Sequence, residues 1–564
     1  MQRRIMLSAV ALAIGAGLLV AASLASPASS GTSGPAASAA GKARRGGTFR
    51  YSLATDIDYV DPGLAYYVPS WQILYATCRT LMQYPDAPAP RGGRLVPDGA
   101  ASFPRVSRNG RVYTFTVRRG MRFSTGRPIT AQNYAWAINR VLSKEMLSAG
   151  QPFYEQIVGA KAVTAGRARR ASGIRVLGRN RLQFRLTQRR PDFLNILALM
   201  FACPMPTNTP LTSEGIQAPV PGSGPYYIRE WVPNRRIVVA RNRFYRGNRP
   251  RNINQFVYDV GLPLETIRLN IERNQTDFGD IPPTAHAELG RRYGRQGKTG
   301  PGRYHVNPSM SFDYFSLNHD RRVFGGRTNG GGPARSGNVR LKKAVNFAID
   351  RRALLAQRGA YAGIVNDQSL PPQMFGFRNI SIYPARPNFN RASRLARGNT
   401  RGGRAEFYCP NRAPAPQQCQ LVQAYLRRIG VNADIKLFPR AVQFQKCQTR
   451  GEPFDICWSG WHADYFDPYD FLFLFDGRTI KPANNANDSY FNSPTFNRRI
   501  ARAQSLTGQA RYRSFGNLDV WLMRNAAPVA SYLTRNDRYF FSNRVGCFVY
   551  QPVYTLDLAR LCLK

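Results

Sequence analysis

Within nine residues, 460–468, stand two carboxylates, Asp464 and Asp467, and four rings, Trp461, His462, Tyr465 and Phe466. A carboxylate beside a tryptophan face suits a ligand ammonium group. The anion accepts charge-assisted hydrogen bonds, and the indole offers apolar area and a cation–π surface. The same residues also fit a plainer role, a strand end followed by an aromatic loop packed in a core. What precedes them favours chemistry. Residues 454–458 read as a buried strand that closes a βαβαβ series. The series opens with a strand at 405–408. A helix follows, with Leu421, Val422, Tyr425, Leu426 and Ile429 on one face and Gly430 at its stop. Val431, Ala433, Ile435 and Leu437 then alternate as a strand, and a second helix pattern leads to residue 454. Such a series implies parallel strands with right-handed crossovers. Ligand sites in such sheets lie beyond the carboxyl ends of the strands, which is where residues 461–464 fall.

Other elements follow from periodicity. Trp71, Leu74, Tyr75, Cys78, Leu81 and Met82 share a helical face, and residues 112–117 alternate as a half-buried strand. Thr130 caps a helix carrying Ala135, Ile138, Val141 and Leu142. Residues 237–240 read as a buried strand, and Leu341, Ala344, Val345, Ala348 and Ile349 as a helix face. Asp467-Pro468 starts a short helix over 469–475, with Asp467 as its cap. The Gly- and Arg-rich stretches 325–337 and 391–404 read as surface loops.

Several landmarks precede the 460–468 stretch. They are Gly46-Gly47-Thr48-Phe49-Arg50, Asp61-Pro62-Gly63, Leu95-Val96-Pro97-Asp98, Gly222-Ser223-Gly224-Pro225-Tyr226, Arg241-Asn242-Arg243-Phe244-Tyr245, and the segment 339–351. In this order they resemble solute-binding protein family 5, the oligopeptide-, dipeptide- and nickel-binding proteins that serve ABC importers. The resemblance implies an α/β, bilobal periplasmic-binding-protein-like (type II) fold with discontinuous lobes and an inserted subdomain. Lobe I would combine 46–88, 207–315 and 515–564, the inserted subdomain would span 89–206, and lobe II 316–514. Strands crossing between the lobes would form the hinge, with 312–318 as a candidate. The resemblance also implies that Asp464, in the matching Trp-x-Ala-Asp position, pairs with a peptide α-ammonium, with Trp461 as the ring beside it. Tyr66 and Tyr67 would line the cleft, with His462 and Tyr314 as further ligand-binding candidates. The alternative for Asp464 is a cap on the following turn. A bound peptide's carboxylate needs a cation, and 80 basic residues leave that choice open.

Length and composition bound the rest. A chain of 564 residues with 43% hydrophobic content is too long for one ordinary domain. Residues 1–28 read as a signal peptide, with Arg3 and Arg4 ahead of an apolar run and Ser23, Ala25 and Ala28 at its end. No cysteine stands near the cleavage site, so a lipid anchor has no attachment point. Residues 29–45 read as a flexible tether. The protein is therefore expected outside the cytoplasm, in a periplasm or at the outer face of the membrane or wall. Eight cysteines in an exported chain suggest disulfides. Connectivity stays open at this stage. The simplest pairing is Cys409 with Cys419, Cys447 with Cys457, Cys547 with Cys562, and Cys78 with Cys203. The histidines, His286, His305, His319 and His462, do not cluster, no CxxC occurs, and no metal or other cofactor is implied. No nucleophile-elbow, zinc-protease or Ser-x-x-Lys signature marks an enzyme.

The net charge of +48, 80 basic against 32 acidic residues, first suggests nucleic acid. However, the arginines are spread over every segment without a basic stripe, so attraction to anionic wall polymers or lipid headgroups is the better expectation. The expected function is a monomeric extracytoplasmic protein delivering peptides or peptide-like solutes to an ABC permease. The alternatives are the same fold binding a nickel complex, sugar or signal molecule, or a cationic polyanion-binding wall protein.

Overall fold

A computed structural model describes residues 45–217, 220–299, 302–326 and 337–564. The expected signal segment and all of the tether except Arg45 lie outside the described residues. No helix among the described residues is long and apolar enough to cross a membrane.

A first sheet is built from β1 (Thr48–Leu53), β2 (Tyr226–Val232), β3 (Arg236–Arg241), β4 (Gln255–Val260) and β5 (Phe278–Gly279), in the order β5-β1-β4-β3-β2. In β1, the alternating Phe49, Tyr51 and Leu53 are buried, the period-2 pattern of a strand with a core face. Between β1 and β2 in sequence lies a separate four-stranded antiparallel sheet, with Val112–Thr116 and Arg181–Arg185 at its centre. It is covered by helix Ala131–Leu142, whose Tyr134, Ala135, Ile138, Val141 and Leu142 are buried. This sheet and helix fall within 89–206, the range expected of an inserted subdomain.

The second sheet has seven strands: β6 (Tyr304–Pro308), β7 (Ser311–Leu317), β8 (Gly363–Val365), β9 (Arg404–Pro410), β10 (Asn432–Phe438), β11 (Ile456–His462) and β12 (Val529–Phe540). Their order is β6-β12-β7-β11-β9-β10, with β8 added on β12. The βαβαβ series is present as read. Helix Ala415–Arg427 links β9 to β10, helix Arg440–Gln448 links β10 to β11, and β9 pairs in parallel with both. The alternation in β10 belongs to an edge strand, however, and Leu437 is 51% exposed.

Two stretches link the sheets. The first half of β12 pairs with β7 and its second half with β6, after which Phe541 bridges to Phe278 of the first sheet. Two of the expected boundaries therefore move. Helix Gly508–Asn525 runs unbroken through 515 and packs on helix Pro494–Ser505, so the chain returns to the first sheet only near 540. β6 and β7 both lie in the second sheet, so that crossing falls before β6, near 303, and not at 316.

Buried ion pairs join distant segments. Asp61 of the Asp-Pro-Gly landmark accepts both Arg140 Nη atoms at 2.6 Å, and its two oxygens also take the Gly63 and Ile216 amides at 2.9 Å. The subdomain meets the second half of the molecule through Asp192, which pairs with Arg190 at 3.1 Å and accepts the Tyr465 hydroxyl at 3.2 Å. Arg511 forks onto Asp467 at 2.7 and 2.9 Å and lies 3.8 Å from Asp192. Arg190, Asp192, Asp467 and Arg511 are all buried.

All four disulfides form with the simplest pairing. Cys78 follows helix Val68–Thr77 directly, and Cys203 lies 125 residues on, so this bridge ties the helix end to the last segment of the subdomain. Replacing both with alanine is expected to cost about 2–5 kcal/mol of stability, read as a lowered Tm. An unchanged Tm would show that packing alone holds this junction.

Candidate functional site

β11 delivers Trp461 and His462, and the chain leaves it through Ala463 and Asp464. Two hydrogen bonds set this exit: the Ala463 amide donates to the Met310 carbonyl, and the Asp464 amide donates to Asp470 Oδ2, both at 2.8 Å. Asp470 is fully buried in helix Tyr469–Leu472 and also accepts the Trp461 indole N–H at 3.4 Å. Asp467 accepts the Tyr469 amide at 2.9 Å, as a cap should. Asp467 thus serves the start of the helix and Asp470 the turn before it, which leaves the Asp464 carboxyl with no capping bond. The Asp464 carboxyl, itself buried, accepts a hydrogen bond from the Tyr66 hydroxyl at 2.7 Å.

Of these residues, Tyr66, Trp461, His462, Ala463 and Asp464 line a cavity of about 390 Å³. Tyr66, Tyr67 and Trp71 enter from helix Val68–Thr77 and the residues just before it, and Trp461, His462 and Asp464 from the end of β11. The rings of Tyr66 and Trp461 meet edge to face, 5.8 Å apart. Five of the six ligand-binding candidates therefore share one wall. Tyr314 does not. Its ring stacks on Phe312 at 4.6 Å and its hydroxyl donates to Asp488 at 3.4 Å, outside the cavity lining.

Three arginines line the same space, Arg412, Arg440 and Arg535. Arg412 follows the carboxyl end of β9, and Arg440 that of β10. The carboxyl-end rule applied to residues 461–464 points equally to these two, since all three strands are parallel. No sequence signal marks Arg535, which lies on β12. Arg535 Nε is 3.1 Å from Asp313, which also ion-pairs with Arg358. Gly460, opposite Asp313 in the ladder, leaves room for this cluster, because a Cβ there would sit 2.6 Å from Asp313 Oδ1. Arg440 lies over the rings of Phe444 and Trp458, at 5.0 and 5.1 Å, and makes no ion pair among the described residues.

Burial sets the electrostatics. It pushes the Asp464 carboxyl up to about 8, opposed only by the Tyr66 hydrogen bond. Burial and the nearby Asp464 hold Asp470 well above the usual carboxylate range. His462 is pushed down to about 3 by burial, helped by Arg535, and neither ring nitrogen has a hydrogen-bond partner among the described residues. The cavity wall thus carries a neutral carboxyl and a neutral imidazole at neutral pH, beside guanidinium groups. It is chemically prepared for a guest that brings one positive and one negative end.

Residues 94–482 match the family described as bacterial extracellular solute-binding proteins, family 5. The periplasmic oligopeptide-binding protein OppA of Escherichia coli is 22% identical over 450 residues, 77% of this chain and 78% of that protein. Among solved structures, clavulanic acid biosynthesis oligopeptide binding protein 2 superposes with a TM-score of 0.77 at 22% identity, covering 92% of this chain and 96% of the other. The periplasmic binding protein DppA of Helicobacter pylori, in complex with the peptide STSA, does so at 0.76 and 18% identity, covering 92% and 98%.

Proposed function

The chain belongs to the bacterial extracellular solute-binding proteins of family 5, and from that premise we propose that its cavity takes up short peptides by their two ends. As a monomer, it then hands them to an ABC importer. The relatives' names and titles support peptides as the cargo class. The observation that carries the reading is the desolvated Asp464 carboxyl, held by Tyr66 beside the Trp461 ring at the cavity wall. An enclosed ammonium group is costly without a counter-ion, and a buried carboxyl is as costly to ionise without a cation. Each relieves the other. His462 lends the wall a neutral ring, and Tyr67 closes it against Phe444 at 5.6 Å. In the same lining Arg440, free of protein carboxylates among the described residues, takes the peptide's terminal carboxylate, with Arg412 and Arg535 also available. A volume of about 390 Å³ is near the lower end of the roughly 300–1,000 Å³ typical of ligand clefts, which favours peptides of a few residues. The lobes we assign meet near 303 and 540, with the subdomain at 89–206 riding on the first. The cavity binds, and we assign it no chemical step. Contact with anionic wall polymers is a second role, drawn from the net charge.

Calorimetry with a tripeptide, its N-acetyl form and its C-terminal amide tests the reading. The free tripeptide is expected to bind tightest, and equal affinity for all three would remove it. A proton count tests the role of Asp464 separately. With its pKa near 8 in the empty cavity, Asp464 is protonated at pH 6.5, and an incoming ammonium ion lowers that value. Binding at pH 6.5 should then release about one proton, measured by titration in buffers of different ionisation enthalpy. No release would mean that Asp464 does not meet the ammonium.

A further inference from the structure

A larger depression, about 1140 Å³, lies away from the peptide cavity and shares no lining residue with it. Two acidic residues stand in its wall and both are taken: Asp98 binds buried Arg79 at 2.7 Å, and Asp86 binds buried Arg249 at 3.1 Å. Five exposed arginines remain, Arg91, Arg118, Arg119, Arg246 and Arg560, and none makes an ion pair among the described residues. Backbone carbonyls aim two of them. Arg118 Nε donates to the Asp98 carbonyl at 2.8 Å and Arg246 Nη1 to the Arg243 carbonyl at 2.9 Å.

The depression continues at both ends. A space of about 500 Å³ adjoins it through Val549 and Arg560 and brings in exposed Arg45. Another of about 480 Å³ adjoins through Arg119, Gly120 and Met121 and brings in exposed Arg122 and Arg179. Among the described residues the three form one trough with eight exposed guanidinium groups along it and no lysine in its lining.

Guanidinium groups match phosphate oxygens in a bidentate way that ammonium groups do not. A single small anion calls for donors that converge, whereas here they are strung along an open channel. The ligand is therefore linear and carries repeated charge. Among the described residues the trough also lacks exposed aromatic rings: Phe548, 4% exposed, is the one ring in its lining. Single-stranded nucleic acid binds through bases stacked on such rings, so a backbone without bases fits better. We propose that the trough binds a linear polyol-phosphate polymer, laid along its arginines. This assigns a site to the wall contact named above and is independent of the peptide reading.

The probe is soluble poly(glycerol phosphate), titrated at about 0.15 M salt, where weak non-specific attraction is screened. A trough variant changes Arg91, Arg118, Arg119, Arg246 and Arg560 to glutamine. A control variant of equal net charge changes the exposed Arg273, Arg352, Arg394, Arg498 and Arg502. The trough variant is expected to bind about tenfold or more weakly and the control by less than about threefold, with tripeptide affinity unchanged in both. With the unaltered protein, affinity should rise with polymer length until the trough is filled, while glycerol phosphate monomer shows none. Equal losses in the two variants would mean the overall positive field is responsible and would overturn the site. So would equally tight binding of a single-stranded oligonucleotide of matched charge, or the absence of any length dependence.

Discussion

Replacing Asp464 with asparagine is expected to weaken binding of peptides with a free amino terminus by about 30- to 4,000-fold, or about 2–5 kcal/mol, the range for truncating one partner of a buried charge pair. The substitution isolates binding from folding. Burial already keeps the Asp464 carboxyl neutral in the empty cavity, so a neutral amide of the same shape can accept the Tyr66 hydroxyl in its place. The Tm of the unliganded variant should therefore match that of the parent. N-acetyl peptides, which bring no cation, should bind parent and variant alike, and proton release at pH 6.5 should vanish. Unchanged affinity for the free peptide would remove Asp464 from the site.

The second large effect lies at Arg140. Changing it to methionine leaves the Asp61 carboxylate buried with only the Gly63 and Ile216 amides to face it. An unpaired buried charge costs about 3–5 kcal/mol, which in a protein of this size lowers Tm by roughly 3–5 °C at about 1 °C per kcal/mol. Adding Asp61→Asn should recover most of that loss, because it removes the stranded charge. If the double variant melts no higher than the single one, packing around the guanidinium stem, and not its charge, joins these segments.

How far the sequence could be read followed from how local each signal was. The β9–β11 unit and the exit at Trp461 and Asp464 are written in contiguous periodicity, and they appear where expected. The cysteine pairing was recoverable because three of the bridges span only 10, 10 and 15 residues. Tyr314 failed for a different reason. Every residue of β7 is buried, so the alternation that tells cavity side from core side elsewhere has no contrast here. The boundary at 515 failed because helix Gly508–Asn525 belongs to the second half of the molecule through tertiary packing, which its own pattern does not state. Arg440 was legible but unread: its place after a parallel strand marked it as clearly as Asp464.

The junction of Arg190, Asp192, Arg511 and Asp467 bears on time as much as on affinity. None of these side chains lines the peptide cavity, yet the molecule cannot part along this seam without rehydrating all four. A guest whose release needed this seam to open would wait on residues that it never meets. Capture strength and dwell time can drift apart in evolution, one tuned at the cavity wall and the other at this distant clasp.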